Sequence, residues 1–262
     1  MILALITSYW LVFLALIAAV ELAENRAGQR GSAKRRWPAN IALIAISSGL
    51  AAAIPLGAFV AADWAQRHDF GLLNLLDPGT VVLAGLSFVL LSLWDYLVHL
   101  ASHKIPLLWR FHKIHHSDKA LDVTTTYRVH PVIHVALTIV NAAMAAGLGL
   151  HPGTVMFYAA AVLIIDLSHH TALRIPDALD RKIRPFVMTP ALHHIHHSDQ
   201  TAETDSNYGH DLAIWDRLFG TYRAEPLRDP KVFRYGLRQF PEDRANNLHD
   251  LLKAPFRGGP FS

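Results

Sequence analysis

Five apolar stretches run along the chain, near residues 1–20, 41–62, 80–97, 132–150 and 153–168, separated by polar, basic or histidine-rich segments. Each approaches the roughly 20 apolar residues a helix needs to cross a hydrocarbon core about 30 Å thick. Met1–Val20 carries no charge, and it lacks both a basic leader and a small-x-small cleavage site. It therefore reads as a span rather than a signal peptide. Pro55 and Gly57 inside the second stretch are residues a membrane helix tolerates. The third and fifth stretches run on into Asp95–His103 and Asp166–His170, which predicts helices that protrude past the bilayer. A tight His151-Pro152 turn joins the last two.

Composition supports the same picture. Of 262 residues, 52% are hydrophobic and 17% charged, against about 25% charged in ordinary soluble domains. The length suits a single membrane domain over 1–262. The expected fold is all-α: an integral membrane bundle of four to five spans, capped by a cytosolic, helical, histidine-rich di-metal site. The cap would comprise 95–131 and 169–222, and the tail 223–262 reads as irregular surface. Arg26, Arg30, Lys34, Arg35 and Arg36 follow the first span, and basic loops stay cytoplasmic. Counting spans forward puts 95–131 and everything after about 168 on that same face, with the N-terminus outside. A bacterial inner membrane is the expected location. The basic residues are scattered, which argues against a nucleic-acid partner.

All but two of the 17 histidines lie between His99 and His210, and there is no cysteine, which excludes disulfides and thiolate metal sites. His99-x3-His103 puts two imidazoles one turn apart on one helix face. His112, His115 and His116 occupy positions i, i+3 and i+4, and His193, His196 and His197 repeat the arrangement. The repeat extends to a following Ser-Asp pair in both boxes. Two related boxes predict two metal ions, each drawing on its own box and sharing the rest. Asp95, Asp118, Asp166 and Asp199 are placed to accept the second N–H of a ligating imidazole; for Asp118 and Asp199, helix capping is the alternative. Lone histidines such as His68, His151 and His249 read as ordinary surface or packing residues. Trp109, Phe111, Phe186 and Trp215 could line a lipid entrance or anchor the chain at the interface.

Taken together, His99-x3-His103, His112-x2-His115-His116, Arg128-x-His130-Pro131, His170 to Pro176, Thr189 to Ser198, Asn207-Tyr208-Gly209 and Trp215 to Tyr222 resemble the fatty acid hydroxylase/sterol desaturase superfamily. The resemblance spans about Asp95 to Tyr222. It implies a cytosolic di-iron site held by His99, His103, His112, His115, His116, His170, His193, His196 and His197, with His130 and His169 as candidate supporting residues. Where many members carry His-x-Asn, this chain has His170-Thr171-Ala172.

Iron follows from the chemistry the resemblance implies, because zinc has no redox and cannot activate O2. Zinc could still replace it in purified protein. Hydroxylation or desaturation of a C–H bond in an apolar lipid needs O2 as co-substrate and a supply of electrons. The chain has no Gly-x-Gly-x-x-Gly fingerprint, no Fe–S cysteines and no cytochrome b5-like domain. An external electron-transfer protein fed by an NAD(P)H-dependent reductase is expected to supply them. Two other readings compete: a zinc-dependent membrane hydrolase, which lacks a His-Glu-x-x-His base, and a metal transport or storage protein, which would place ligands at mid-membrane.

Overall fold

A computed structural model describes residues 30–55, 57–76, 79–171, 174–228 and 233–257. The expected span 1–20 and Arg26 fall outside them. Fourteen segments in chain order need labels: α1 Arg30–Ala52, α2 Ala58–Arg67, α3 Leu72–Leu76, α4 Thr80–Lys104, α5 Pro106–His116, a 3-10 turn Val123–Thr125, α6 Pro131–Leu148, α7 Pro152–His169, α8 Asp177–Ile183, α9 Pro190–His196, α10 Thr201–Thr204, α11 Ile214–Leu218, α12 Glu242–Ala245 and α13 Leu248–Lys253. Among the described residues there is no strand, only isolated bridges such as Ser198 to Tyr235.

Among the described residues three helices are long and apolar enough to cross a membrane: α4, α6 and α7. At 1.5 Å per residue α4 is roughly 37 Å long, so it exceeds the hydrocarbon core and carries its last turns beyond it. Val81, Val82 and Leu86 on α4, Ile139 and Val140 on α6, and Met156, Phe157 and Ile164 on α7 point outward. In water such apolar faces would aggregate; a bilayer covers them. Between the helices, Leu83, Leu91, Ala145, Leu150, Val155 and Tyr158 make a continuous core with Ala62 and Leu73.

Prolines set the helix starts. Pro106, Pro131, Pro152 and Pro190 each stand in the first turn, where a missing N–H costs nothing and the fixed φ is already helical. His130 and His151 cap α6 and α7 by accepting the amides of Val132 and Thr154. Gly149 closes α6 at φ +66, and a Cβ on Gly71 would come within 2.3 Å of the Gly149 nitrogen. The turn before α3 can lie that close only because both residues are glycine.

Two expectations need correction. The stretch 41–62 is not one span: α1 stops at Ala52, the chain bends at 53–55, and α2 begins at Ala58. Pro55 has no N–H to extend the ladder and clashes with the turn before it. The basic segment from Arg30 onward is likewise helical rather than a loop.

The tail is not irregular surface either. Leu237, Phe240, Ala245, Leu251 and Ala254 bury themselves against Ile114 of α5 and Ala39 and Leu43 of α1. Arg128, fully buried, binds these parts together. Its Nε donates to Ile114 O at 2.9 Å, and its two Nη atoms reach Asn40, Ser117 Oγ and Ala245 O. Arg36 pairs with Asp118 and Asp122 in the same buried network.

Candidate metal centre

The nine histidines of the boxes come together in two groups. Site one collects His99 and His103 from α4, His112 and His116 from α5, and His196 from α9. Site two collects His115 from α5, His170 just past α7, and His193 and His197 from α9. Within each group, one nitrogen per ring lies within 4.8 Å of all the others.

The grouping follows from helix geometry. Positions i and i+4 lie about 40° apart around a helix and i+3 lies on the opposite side of i, so i+3 and i+4 diverge by about 100°. His112 and His116 therefore turn to one site while His115 turns to the other. In the second box His193 and His197 turn to site two and His196 crosses to site one. The expectation that each site draws mainly on its own box holds with one exchange: each box sends its middle ligand to the other site.

Backbone carbonyls orient the rings. His99 Nδ1 donates to Tyr208 O at 2.7 Å, His196 Nδ1 to Ser206 O at 2.7 Å, and His170 Nδ1 to Asp166 O at 2.7 Å. A carbonyl can only accept, so the proton sits on Nδ1 and the Nε2 lone pair faces the cluster. Nε2 of His99 and of His196 has no hydrogen-bond partner, and neither ring nitrogen of His103 has one. In site two, Nε2 atoms approach one another at 3.3 Å (His115–His170), 3.1 Å (His170–His193) and 3.1 Å (His193–His197). Buried nitrogens converging lone pair to lone pair are costly unless a cation takes them. The donor set, all imidazole, fits a borderline divalent metal.

Burial keeps the rings neutral, as metal binding requires. It holds His112 and His196 down to about 3, with neighbouring imidazoles adding to the effect on His112. His115, His116, His193 and His197 are likewise pushed well below the ordinary range by burial.

The carboxylates do other work than expected. Asp95 accepts from Tyr158 OH at 3.0 Å. Asp118 accepts from Arg36, Asn40 and Thr125, and Asp199 from Arg238 and Gln200. None of these three bonds a site imidazole among the described residues, and neither Asp118 nor Asp199 caps a helix: the residue ahead of α10 is Gln200, and Asp122 caps the 3-10 turn. Asp166 does serve the site, through its carbonyl. His130 is a helix cap whose Nε2 donates to Leu252 O, away from both groups. His169 lies against site two, stacked on His193 with Nε2 donating to Met188 O at 3.0 Å. His194 stays outside and meets Tyr235 OH. Trp109 packs on His103 and His116, Phe111 on His130, and Trp215 donates to Ser92 Oγ; of the four aromatics Phe186 alone is largely exposed.

Sequence reasoning missed the residues that hold the holders. Asp216, fully buried, accepts the amides of Tyr208 at 2.7 Å and Gly209 at 2.9 Å. That fixes the carbonyl His99 leans on. Asn207, at φ +54, bonds Leu192 O and both polar backbone atoms of Arg223. The Asn-Tyr-Gly and Trp-Asp-Arg motifs were visible signals, but their role as a carbonyl scaffold was not. His210 was missed too. Its ring lies 4.8 Å from His99 and its Nδ1 3.1 Å from Asp166 Oδ1. Burial opposes its charge, but Asp166, Asp95 and Asp211 outweigh that and push it up to about 9; it stands beside site one and outside both groups.

A family model described as fatty acid hydroxylase matches residues 84–221. The chain is 32% identical to an ornithine lipid hydroxylase of Rhizobium tropici over 54% of its own length and 42% of that protein's. It is 31% identical to an alkylglycerol monooxygenase of Caenorhabditis elegans, over 54% and 27% of the two lengths. It is 28% identical to a cholesterol 25-hydroxylase of Mus musculus, over 57% and 51%. The match thus spans about half or less of each of these relatives. No solved structure matches the chain.

Proposed function

The chain belongs to the fatty acid hydroxylase family, and from that membership we propose that it is an integral-membrane di-iron oxygenase acting on a C–H bond of a lipid. His99, His103, His112, His116 and His196 hold one iron, and His115, His170, His193 and His197 hold the other. The observation that carries this reading is the convergence of nine imidazoles, eight of them buried and His112 half-buried, into two all-nitrogen groups, with the Nε2 atoms of His99, His103 and His196 left without a hydrogen-bond partner. Bound ferrous iron supplies what no side chain can, the reduction of O2 to an oxidant able to attack an unactivated C–H bond. Zinc in the same sites would be silent.

The protein's own part is to position and to exclude. Carbonyls of Tyr208, Ser206 and Asp166 set the ring directions. Trp109 and Tyr208, packed on the imidazoles of site one, keep water from the rings. The groups lie where α4 and α7 end, so an apolar substrate reaches them along the bilayer, and the names of the three relatives above all describe oxygenation of a lipid. Lys104, Lys113 and Lys119 sit on the same side as the sites, which supports a cytoplasmic face, in a bacterium that of the inner membrane. Electrons come from an external carrier.

Chain purified without oxygen and reconstituted with ferrous iron is expected to bind about two ions, as a paired-metal site requires, and to consume O2 when a lipid substrate is present. A folded chain that binds one ion or none would remove the di-iron reading.

A further inference from the structure

Beside the two boxes, lined by residues that follow each of them and by the tail, lies a cleft of about 780 Å³. Among the described residues of its walls, four cations, Lys119, Arg228, Arg234 and Arg238, outnumber two carboxylates, Asp199 and Glu242. Arg228 and Arg234 are exposed, and no hydrogen bond holds either side chain among those described.

The floor of the cleft is fastened to the boxes. Asp199 N donates to Arg234 O at 2.8 Å and Gly236 N to His197 O at 3.3 Å. Lys119, three residues past His116, donates to Leu237 O, and a Cβ on Gly236 would meet Asp118 O at 2.7 Å. Tyr235, in the wall, places its hydroxyl 3.0 Å from His194 Nδ1, and His194 is bonded through one peptide to His193 of site two. A body seated in the cleft against Tyr235 is therefore linked to site two through the Tyr235 ring, one hydrogen bond, the His194 side chain, one peptide and the His193 ring.

We propose that this cleft is the docking site of an acidic, soluble, one-electron carrier protein, and that electrons enter the centre on the site-two side. The inference rests on the oxygenase reading. Hydroxylation puts one oxygen atom of O2 into the C–H bond and reduces the other to water, consuming two electrons and two protons. A one-electron carrier must then dock twice per turnover and leave between visits. Weak, charge-steered contacts suit that exchange better than an apolar interface would.

The test uses the full chain in nanodiscs of uncharged phosphatidylcholine, with a strongly acidic two-iron, two-sulfur ferredoxin as probe and basic cytochrome c as its opposite. Ferredoxin is expected to bind at about 50 mM salt and to be lost at about 300 mM, where the screening length falls below 10 Å; cytochrome c should not bind. Arg228→Glu with Arg234→Glu should slow ferredoxin association about tenfold or more, and the milder pair Arg228→Gln with Arg234→Gln should slow it less. Both pairs should retain their bound metal, which shows an intact fold. Arg67→Glu, at the end of α2, should leave binding unchanged. Ferredoxin binding that fails at low salt, ignores salt, or survives the double reversal overturns the proposal. So does displacement of ferredoxin when phosphatidylglycerol is added, which would make the cleft a lipid headgroup site. Oxygen uptake by the wild-type chain with a reduced phenazine needs no docked protein, so it reports on the oxygenase reading separately.

Discussion

Site one and site two are built from the same two boxes but are held in different ways. In site one the rings lean on a loop: Tyr208 O and Ser206 O orient His99 and His196, and Asp216 and Asn207 hold that loop in place. Site two leans on a helix end, where Asp166 O orients His170 and His169 stacks on His193. Five imidazoles surround one position and four the other. The group of four imidazoles would leave a bound metal more room for exchangeable ligands than the group of five. Symmetry in sequence has produced two sites with separate supports, and each support can be removed by itself.

The largest effect expected is from the rings. His115→Ala, His116→Ala, His196→Ala and His197→Ala should each abolish oxygenation and remove at least one metal ion per chain, read by elemental analysis. His68→Ala and His249→Ala, exposed and outside both groups, should stay within about 0.5 kcal/mol of the parent and keep full activity. Similar mild losses at all six positions would mean that the clusters are only a histidine-rich surface.

Next comes Arg128, which serves both sites by fixing the end of α5. Arg128→Ala leaves Asp118 buried without one of its cations, strands the carbonyl of Ala245 and leaves Ile114 O with Ser117 alone as its donor. A loss of about 3–5 kcal/mol is expected, seen as a lower unfolding midpoint, and Arg128→Lys should restore little of it, because lysine cannot spread donors over four partners. A lysine variant as stable as the parent would show that charge alone matters there.

A change confined to one site separates the two supports. Asp216→Asn keeps the shape but replaces one of the two oxygens with an NH2 donor, so it can hold only one of the amides of Tyr208 and Gly209. It should weaken metal at site one about 10- to 100-fold, the usual cost of losing an outer support, and leave site two as it was. Cobalt titration followed by absorption would distinguish the sites; equal weakening of both would contradict the assignment of the loop to site one.

A last effect, read without metal, is shared by both sites. Their histidines outside the membrane helices are held below the ordinary value near 6.5. The unfolded chain therefore takes up protons that the metal-free folded chain refuses once pH falls below about 6.5. Metal-free protein should lose stability progressively from there toward about pH 3, where His112 and His196 titrate. A metal-free midpoint flat from pH 7 to pH 4.5 would contradict the neutral-ring description.

Much of the site was legible in the sequence because side-chain spacing on a helix is rigid. A box at i, i+3 and i+4 determines which rings can share an ion, and the same nine histidines that the resemblance implied are the nine that converge. The supports were not legible, since a backbone carbonyl has no residue type to mark it: any residue at 206 or 208 offers the same oxygen. Asp95, Asp118 and Asp199 misled for the converse reason, being the right chemical type with nearer partners in Tyr158, Arg36 and Arg238. The span at 41–62 failed where hydropathy is blind to backbone geometry, at Pro55. The tail was misread because Leu237, Phe240, Ala245 and Leu251 are spread thinly among charges, and only the face of α5 they cover explains them.

The exchange of one ring between boxes links the two ions thermodynamically. Loading either site orders both α5 and α9, because each helix donates to both. The ordering entropy lost on first binding is then not lost again on the second. Metal should therefore enter as a pair, with a steep loading curve and few singly occupied molecules at half saturation. If the proposed di-iron reading holds, a cell short of iron would hold a mixture of empty and fully loaded chains, rather than a population of half-built centres that could meet O2 with one electron too few.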